Sequence, residues 1–272
     1  MKKIDEIEYK KILLDELEFF HEFCKTNNLK YYLFYGSLIG AMRHGGFIPW
    51  DDDLDVIMFR DDYDRLCELF NDNNSRYELV SIETRNDFTA PLAKIIDKKT
   101  KLVQNYGLKE NVELGVYIDV FVLDNLPDNE NERKKSYEQA RKLSRYWLVA
   151  NHEFKYEGDS FIKCLLRYIK YLKVHIHGEK YYLSQIDYHA KKYNKVETRY
   201  VGVLSYVFPW GKDEIFKKDD FNLKEVKFED LQCYVPENYD SILTRLYGDW
   251  RQLPPVEKRQ SHHSYECYWR GN

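Results

Sequence analysis

Residues 34–56 read FYGSLIGAMRHGGFIPWDDDLDV, and four carboxylates, Asp51, Asp52, Asp53 and Asp55, fall within five consecutive positions. Like charges that close cannot all stay ionised unless a cation neutralises them, and a divalent metal is the usual one. If the chain is a strand here, Asp53 and Asp55 project to one face, while Leu54 and Val56 project to the other, into a core. Two carboxylates on one face suit Mg²⁺ or Mn²⁺, with substrate phosphate oxygens completing the coordination. Gly36-Ser37 supplies the complementary half. Glycine lets the backbone approach a phosphate, and Ser37 at a helix start offers a hydroxyl beside free N–H groups. A calcium loop does not fit, because Val56 stands where that loop needs glycine and Asp62 where it needs glutamate.

Outward from this stretch the pattern calls for a third acid on a neighbouring strand. Asp119 fills the role inside the apolar run Val116 to Leu123, where an isolated charge would be costly unless a metal or polar site received it. Gly-Ser on a first turn followed by a same-face acidic pair on the next strand is the pattern of nucleotidyltransferases. Asp53, Asp55 and Asp119 are therefore the candidate catalytic and metal-binding residues, and Gly36 and Ser37 the candidate phosphate turn. Arg43 and His44 lie between turn and acids, where a cation could stabilise charge on a transferring phosphoryl group. Lys94 interrupts the apolar strand Pro91 to Ile96 and could contact phosphate or snorkel from an edge. Lys258, Arg259, His262 and His263 could close over a nucleotide or form a solvated tail.

Periodicity gives the organisation. Leu13, Leu17, Phe20 and Cys24 repeat at helical spacing, so 5–26 reads as an amphipathic helix. Strands are expected at 31–35, 54–59, 79–82, 92–96 and 116–123, with helices at 38–43 and 61–70. After Pro127 the texture becomes helical, at 130–150, 161–176 and 180–193. Short strands return at 200–204, 225–228 and 232–235 before a last helix at 239–247. The expectation is an α+β fold with a mixed sheet core and a helical subdomain. The expected division is a catalytic core at 1–128, a helical insertion at 129–195, and a C-terminal part at 196–272 that completes the catalytic domain. The helix at 161–176 carries Phe161, Leu165, Tyr168, Ile169 and Leu172 at helical spacing, flanked by Lys163, Arg167, Lys170 and Lys173. It reads first as a core helix with a solvated basic edge, and second as a helix resting on an anionic membrane.

The 272 residues are 43% hydrophobic and 16% aromatic with a formal charge of -4, which argues for a packed globular chain without the basic excess of a nucleic-acid binder. Five widely spaced cysteines with no CxxC pair read as reduced thiols, and no signal peptide or membrane span stands out, so a cytoplasmic location is expected.

Three islands together resemble the LicD family of phosphotransferases, which includes the fukutin-related proteins. They are YGSLIGAMRHGGFIPWDDDLDV at 35–56, YIDVFVLD at 117–124 and YGDWRQLPP at 247–255. The resemblance implies a nucleotidyltransferase-like fold and transfer of a phosphorylated alcohol, typically phosphocholine from CDP-choline, with release of CMP. The acceptor it implies is a cell-surface glycan, teichoic acid or lipid-linked oligosaccharide precursor. By position it assigns the metal acids to Asp53, Asp55 and Asp119 and the phosphate turn to Gly36 and Ser37. The alternatives are a nucleotidyltransferase that uses a nucleoside triphosphate and transfer of another CDP-activated alcohol phosphate. For a choline headgroup, Trp50, Trp210 and Trp250 are the candidate aromatic cage residues.

Overall fold

The computed structural model describes residues 1–73, 75–104, 112–154, 160–208, 211–259 and 265–271. Trp210, His262 and His263 lie outside the described residues, as does the side chain of Phe161. The first helix, α1 (Glu6–Thr26), starts at Asp5, whose carboxylate accepts from the Glu8 N–H at 2.8 Å. It ends where Asn28 turns left-handed at φ 52°. Its buried stripe of Leu13, Leu17, Phe20 and Cys24 is the one its periodicity marks.

Next come β1 (Tyr32–Leu33), α2 (Tyr35–Ile39), β2 (Asp55–Phe59), α3 (Arg60–Leu69), β3 (Tyr77–Val80), β4 (Ala93–Asp97), β5 (Thr100–Gln104) and β6 (Tyr117–Leu126). Five described strands form a sheet in the order β1-β2-β6-β4-β3. The β2–β6 pair is parallel and its neighbours are antiparallel. The fold is α+β, with a mixed sheet at its centre.

Three helices follow, α4 (Glu130–Asn151), α5 (Phe161–His175) and α6 (Glu179–Ala190). Leu143 and Trp147 of α4 pack with Leu183 and Ile186 of α6, and the Trp147 indole N–H donates to the Thr89 carbonyl at 3.0 Å. That bond ties the helical layer to the loop that leads into β4. The chain returns to the sheet through β7 (Tyr200–Val203), which pairs with β6, and β8 (Ile215–Lys217). One edge of β6 thus serves β4 as far as Val120 and β7 from Leu123 onward, and Phe121 lies at the change of partner. The remaining elements are the hairpin β9 (Leu223–Phe228) and β10 (Leu231–Pro236), then α7 (Tyr239–Tyr247), and β11 (Tyr265–Trp269), which pairs with β5.

The sequence does not anticipate β5, β8 or β11. Each is short, and β5 and β11 are strands only because segments distant in sequence pair with each other. The expected strand at 31–35 shrinks to two residues because Tyr35, at φ 44°, already opens α2. The α5 expectation is also overturned. Leu165, Tyr168, Ile169 and Leu172 are exposed, so α5 is not a core helix.

Candidate active site

Register places the acids side by side. Asp55 is the cross-strand neighbour of Asp119, and Asp119 is the neighbour of Lys94, so one row across β2, β6 and β4 reads acid, acid, cation. Period-2 alternation sends all three side chains to the same face, while Val56, Ile118 and Val120 enter the core. Lys94 Nζ bonds Asp119 Oδ1 at 2.5 Å and lies 3.5 Å from the centroid of the Tyr117 ring. Burial works against the Lys94 charge, and Asp119 more than reverses that, holding the ammonium above its usual range.

Asp55 is buried, and its carboxyl is raised well above the ordinary range, first by burial and then by Asp53, Asp119 and Asp51, with Lys94 opposing. The Ser37 hydroxyl accepts from the Asp55 N–H at 2.8 Å, which directs its own O–H elsewhere. Gly36 packs against the same acids. A Cβ there would meet Asp51 Oδ2 at 2.6 Å and Asp53 Oδ1 at 4.0 Å. Gly36, Ser37, Asp53, Asp55, Asp119 and Lys94 therefore come together in one place.

The donor chemistry suits a hard divalent cation, because Asp55 carries the electrostatic burden of three neighbouring carboxylates, with Lys94 opposing it. Among the described residues, however, no three His, Cys, Asp or Glu side chains converge as a ready-made metal cage. Asp119 is turned to Lys94 instead.

The other candidates lie along the neighbouring loop. α2 runs into a π-helical turn, Gly40–His44, which aims Arg43 at the carbonyls of Trp250 (2.6 Å) and Gln252 (3.2 Å). Arg43 thereby fastens the 247–255 island beside the acid loop. His44 stacks edge-on against Trp50, whose ring also carries the Arg259 guanidinium at 5.4 Å. Trp250 is buried, its N–H held by Asp240 and its ring covered by Arg251.

Residues 28–125 match the family described as LicD/FKTN/FKRP, nucleotidyltransferase domain. The chain is 32% identical over 275 residues to the lipopolysaccharide cholinephosphotransferase LicD of Haemophilus influenzae, covering 98% of this chain and 99% of that protein. The chain belongs to the LicD family. Shorter similarities reach an uncharacterised protein of Rickettsia prowazekii, at 33% identity over 40% of this chain and 38% of that one. Mannosyltransferase regulator 4 of Saccharomyces cerevisiae is 25% identical over 54% of this chain and 13% of that protein.

Within this LicD-family site two features escaped sequence reasoning. The first is Glu214, just before β8. It accepts from the Tyr35 phenol at 2.5 Å, and burial pushes its carboxyl up to about 7, against the Tyr35 hydrogen bond and the more distant Arg141. The Tyr35 ring packs on Phe121, centroids 4.7 Å apart, and Phe121 on Tyr206 at 6.1 Å. Burial raises the Tyr206 phenol, and Asp119, Asp55 and Glu214 add to the shift while Lys94 opposes it. Nothing local in the sequence marks Glu214, which is brought here by the β7–β8 return. The second is Glu229 at the β9–β10 turn. Its carboxylate accepts from the Phe47 N–H at 3.0 Å, and its own N–H donates to the Gly45 carbonyl at 2.8 Å. A Cβ on Gly46 would overlap Glu229 Oε1 at 2.0 Å, so a larger residue there would push the Glu229 side chain off the Phe47 N–H.

Proposed function

We propose that this chain transfers phosphocholine from CDP-choline to a hydroxyl of a cell-surface glycan, releasing CMP. It is a transferase of phosphorus-containing groups. The observation that carries the reading is the row Asp55, Asp119, Lys94 with Ser37 and Gly36 packed against it. The 32% identity to a lipopolysaccharide cholinephosphotransferase supports the choice of group and acceptor. Asp53, Asp55 and Asp119 would hold Mg²⁺, which when bound would neutralise the donor phosphates and polarise the phosphorus under attack.

The chain's own residues supply the rest. Ser37 turns its O–H, and the start of α2 its N–H groups, toward a phosphate oxygen. The acceptor oxygen attacks the distal phosphorus of the donor as the bond from that phosphorus to CMP breaks, so choline phosphate ends on the glycan. Asp119, on the partly exposed side of the row, takes the acceptor's proton, and Lys94 faces the charge spread over the transferring group. Glu214 with Tyr35 and Tyr206 forms a carboxylate and aromatic wall suited to a quaternary ammonium, a role better fitted there than to Trp50, whose ring already carries Arg259. The five unpaired cysteines fit a reducing, cytoplasmic setting.

The test is incubation with CDP-choline, Mg²⁺ and lipopolysaccharide. CMP and choline-bearing glycan are the expected products. Pyrophosphate from CTP or ATP, with CDP-choline left intact, would replace this reading with that of a nucleotidyltransferase.

A further inference from the structure

Large exposed aliphatic side chains occur singly over most of the described surface, but on α5 they line up. Ile162, Leu166, Ile169, Leu172 and, just past the helix end, Ile176 follow one another at spacings of three or four with Leu165 beside Leu166, and Ile162, Leu166 and Ile176 are 69%, 62% and 80% exposed. The helix has a second, inward face. Val174 is buried, Tyr171 packs on Phe154 at 5.5 Å with Arg167 over the same ring at 5.8 Å, and Tyr168, exposed at the edge of this face, reaches Phe154 at 5.1 Å. The aliphatic stripe is therefore not an inner face left uncovered. It is a separate outer face of a helix already docked through its other side.

Charge identifies what would cover it. Between Phe161 and His175 the helix carries Lys163, Arg167, Lys170 and Lys173 and no acidic residue, in a chain whose formal charge is -4. Lys163 and Lys170 flank the stripe, Lys173 stands within it, and all three are exposed and make no ion pair with any described residue. A helix that presents aliphatic residues edged by lysines is complementary to a bilayer whose headgroups are anionic. The apolar side chains enter the acyl boundary while the lysine stems reach back to the phosphates. No described helix is long and apolar enough to cross a membrane, so contact through α5 would be one-sided. We infer that α5 is a membrane-surface anchor that holds the enzyme on anionic lipid through Ile162, Leu166, Ile169 and Leu172, with Lys163, Lys170 and Lys173 at the headgroups. The inference does not depend on which group the active site transfers.

The full chain is sedimented with vesicles of phosphatidylcholine alone or mixed with phosphatidylglycerol. Binding is expected only to the anionic vesicles, weakening as salt is raised, with each of Lys163→Glu, Lys170→Glu and Lys173→Glu lowering the partition coefficient about fivefold or more. Leu166→Gln with Ile169→Gln replaces exposed side chains, so the helical circular dichroism stays while binding falls roughly tenfold or more. Equal sedimentation with both vesicle types, or unchanged binding by the glutamine pair, overturns the inference. So does a concentration-dependent dimer of the free protein that the same pair abolishes, because the stripe would then be an interface between copies. CMP release from soluble substrates is measured in parallel and stays at the wild-type level in these variants, which separates the anchor from the catalytic reading.

Discussion

Toward the C-terminal end of β6, Asp124 is fully buried and the fold gives it a cation. The Arg60 guanidinium grips it in a fork at 2.8 and 3.0 Å, and the Asn194 amide adds a bond at 2.7 Å. Toward the other end, Asp55 is nearly as buried, but its close neighbours are Asp53, Asp119 and Asp51, and the lysine in its row is already paired with Asp119. The same sheet thus holds one buried acid joined to its own arginine and one crowded by other acids. A buried carboxylate with its own arginine is a structural joint, here between β6, α3 and the end of the helical layer. A buried acid crowded by other acids is suited to an added positive charge, the basis on which we propose that the row takes Mg²⁺.

The sharpest way to break this contrast is to neutralise each side in turn. Asp53→Asn, Asp55→Asn and Asp119→Asn keep side-chain size but remove charge, and each is expected to lower kcat by about a thousandfold or more, measured as CMP release with Mg²⁺ saturating. Retained activity in Asp55→Asn would mean that the acid row is not the reacting centre. At the other end, Arg60→Met leaves Asp124 buried without its partner and is expected to cost about 3 to 5 kcal/mol of stability in urea unfolding. The double variant Arg60→Met, Asp124→Leu recovers most of that loss, an outcome the acid row cannot imitate for activity.

These expectations also show what the sequence could disclose. The acid cluster and the Gly36-Ser37 turn are legible because the carboxylates crowd within five positions, and strand alternation fixes the face of Asp55 and Asp119, whereas Asp53 precedes β2 and owes its place to the loop. Lys94 is legible as a cation in an apolar strand, although its pairing with Asp119 depends on β4 lying beside β6, which local pattern does not encode. Glu214 and Glu229 are not legible at all. Both stand in ordinary polar surroundings and gain their roles from contacts with residues far away in the chain, Tyr35 and Phe47. The exposure of α5 was beyond reach for a different reason, since helical periodicity marks an apolar stripe without saying whether protein or lipid covers it.

Two smaller effects sharpen the comparison. Glu214 is held up at about 7, so the folded protein binds its proton more tightly than the unfolded chain, whose glutamates titrate near their ordinary value of about 4.3. Its contribution to stability is complete below that ordinary value and is lost as pH rises through about 7, and Glu214→Gln is expected to remove about 3 kcal/mol of this pH dependence. Thermal unfolding of the two proteins across that window would show it, and parallel curves would refute it. The same variant is expected to raise KM for CDP-choline about fivefold while changing kcat little. In the absence of divalent metal, Asp55→Asn relieves repulsion within the acid row and is expected to stabilise the fold by about 1 kcal/mol, so the variant that loses activity melts later than the wild type. A lower melting temperature for that variant would show that the row is already satisfied without metal.

The contact of Glu229 with the Gly45-Gly46-Phe47 segment joins positions 182 residues apart, and it has a consequence for the order in which the molecule comes into being. During synthesis the sheet strands through β6 can be laid down long before the β9–β10 turn leaves the ribosome. Until that late hairpin arrives, the segment that leads into Asp51, Asp53 and Asp55 would have its local backbone bonds and the Lys10 contacts at Phe47 and Pro49, but not the two bonds to Glu229. The nascent chain would therefore acquire its architecture early and its chemistry last. Hydrogen-exchange pulses on chains stalled before and after residue 236 would detect this as protection at Phe47 that appears only in the longer chain.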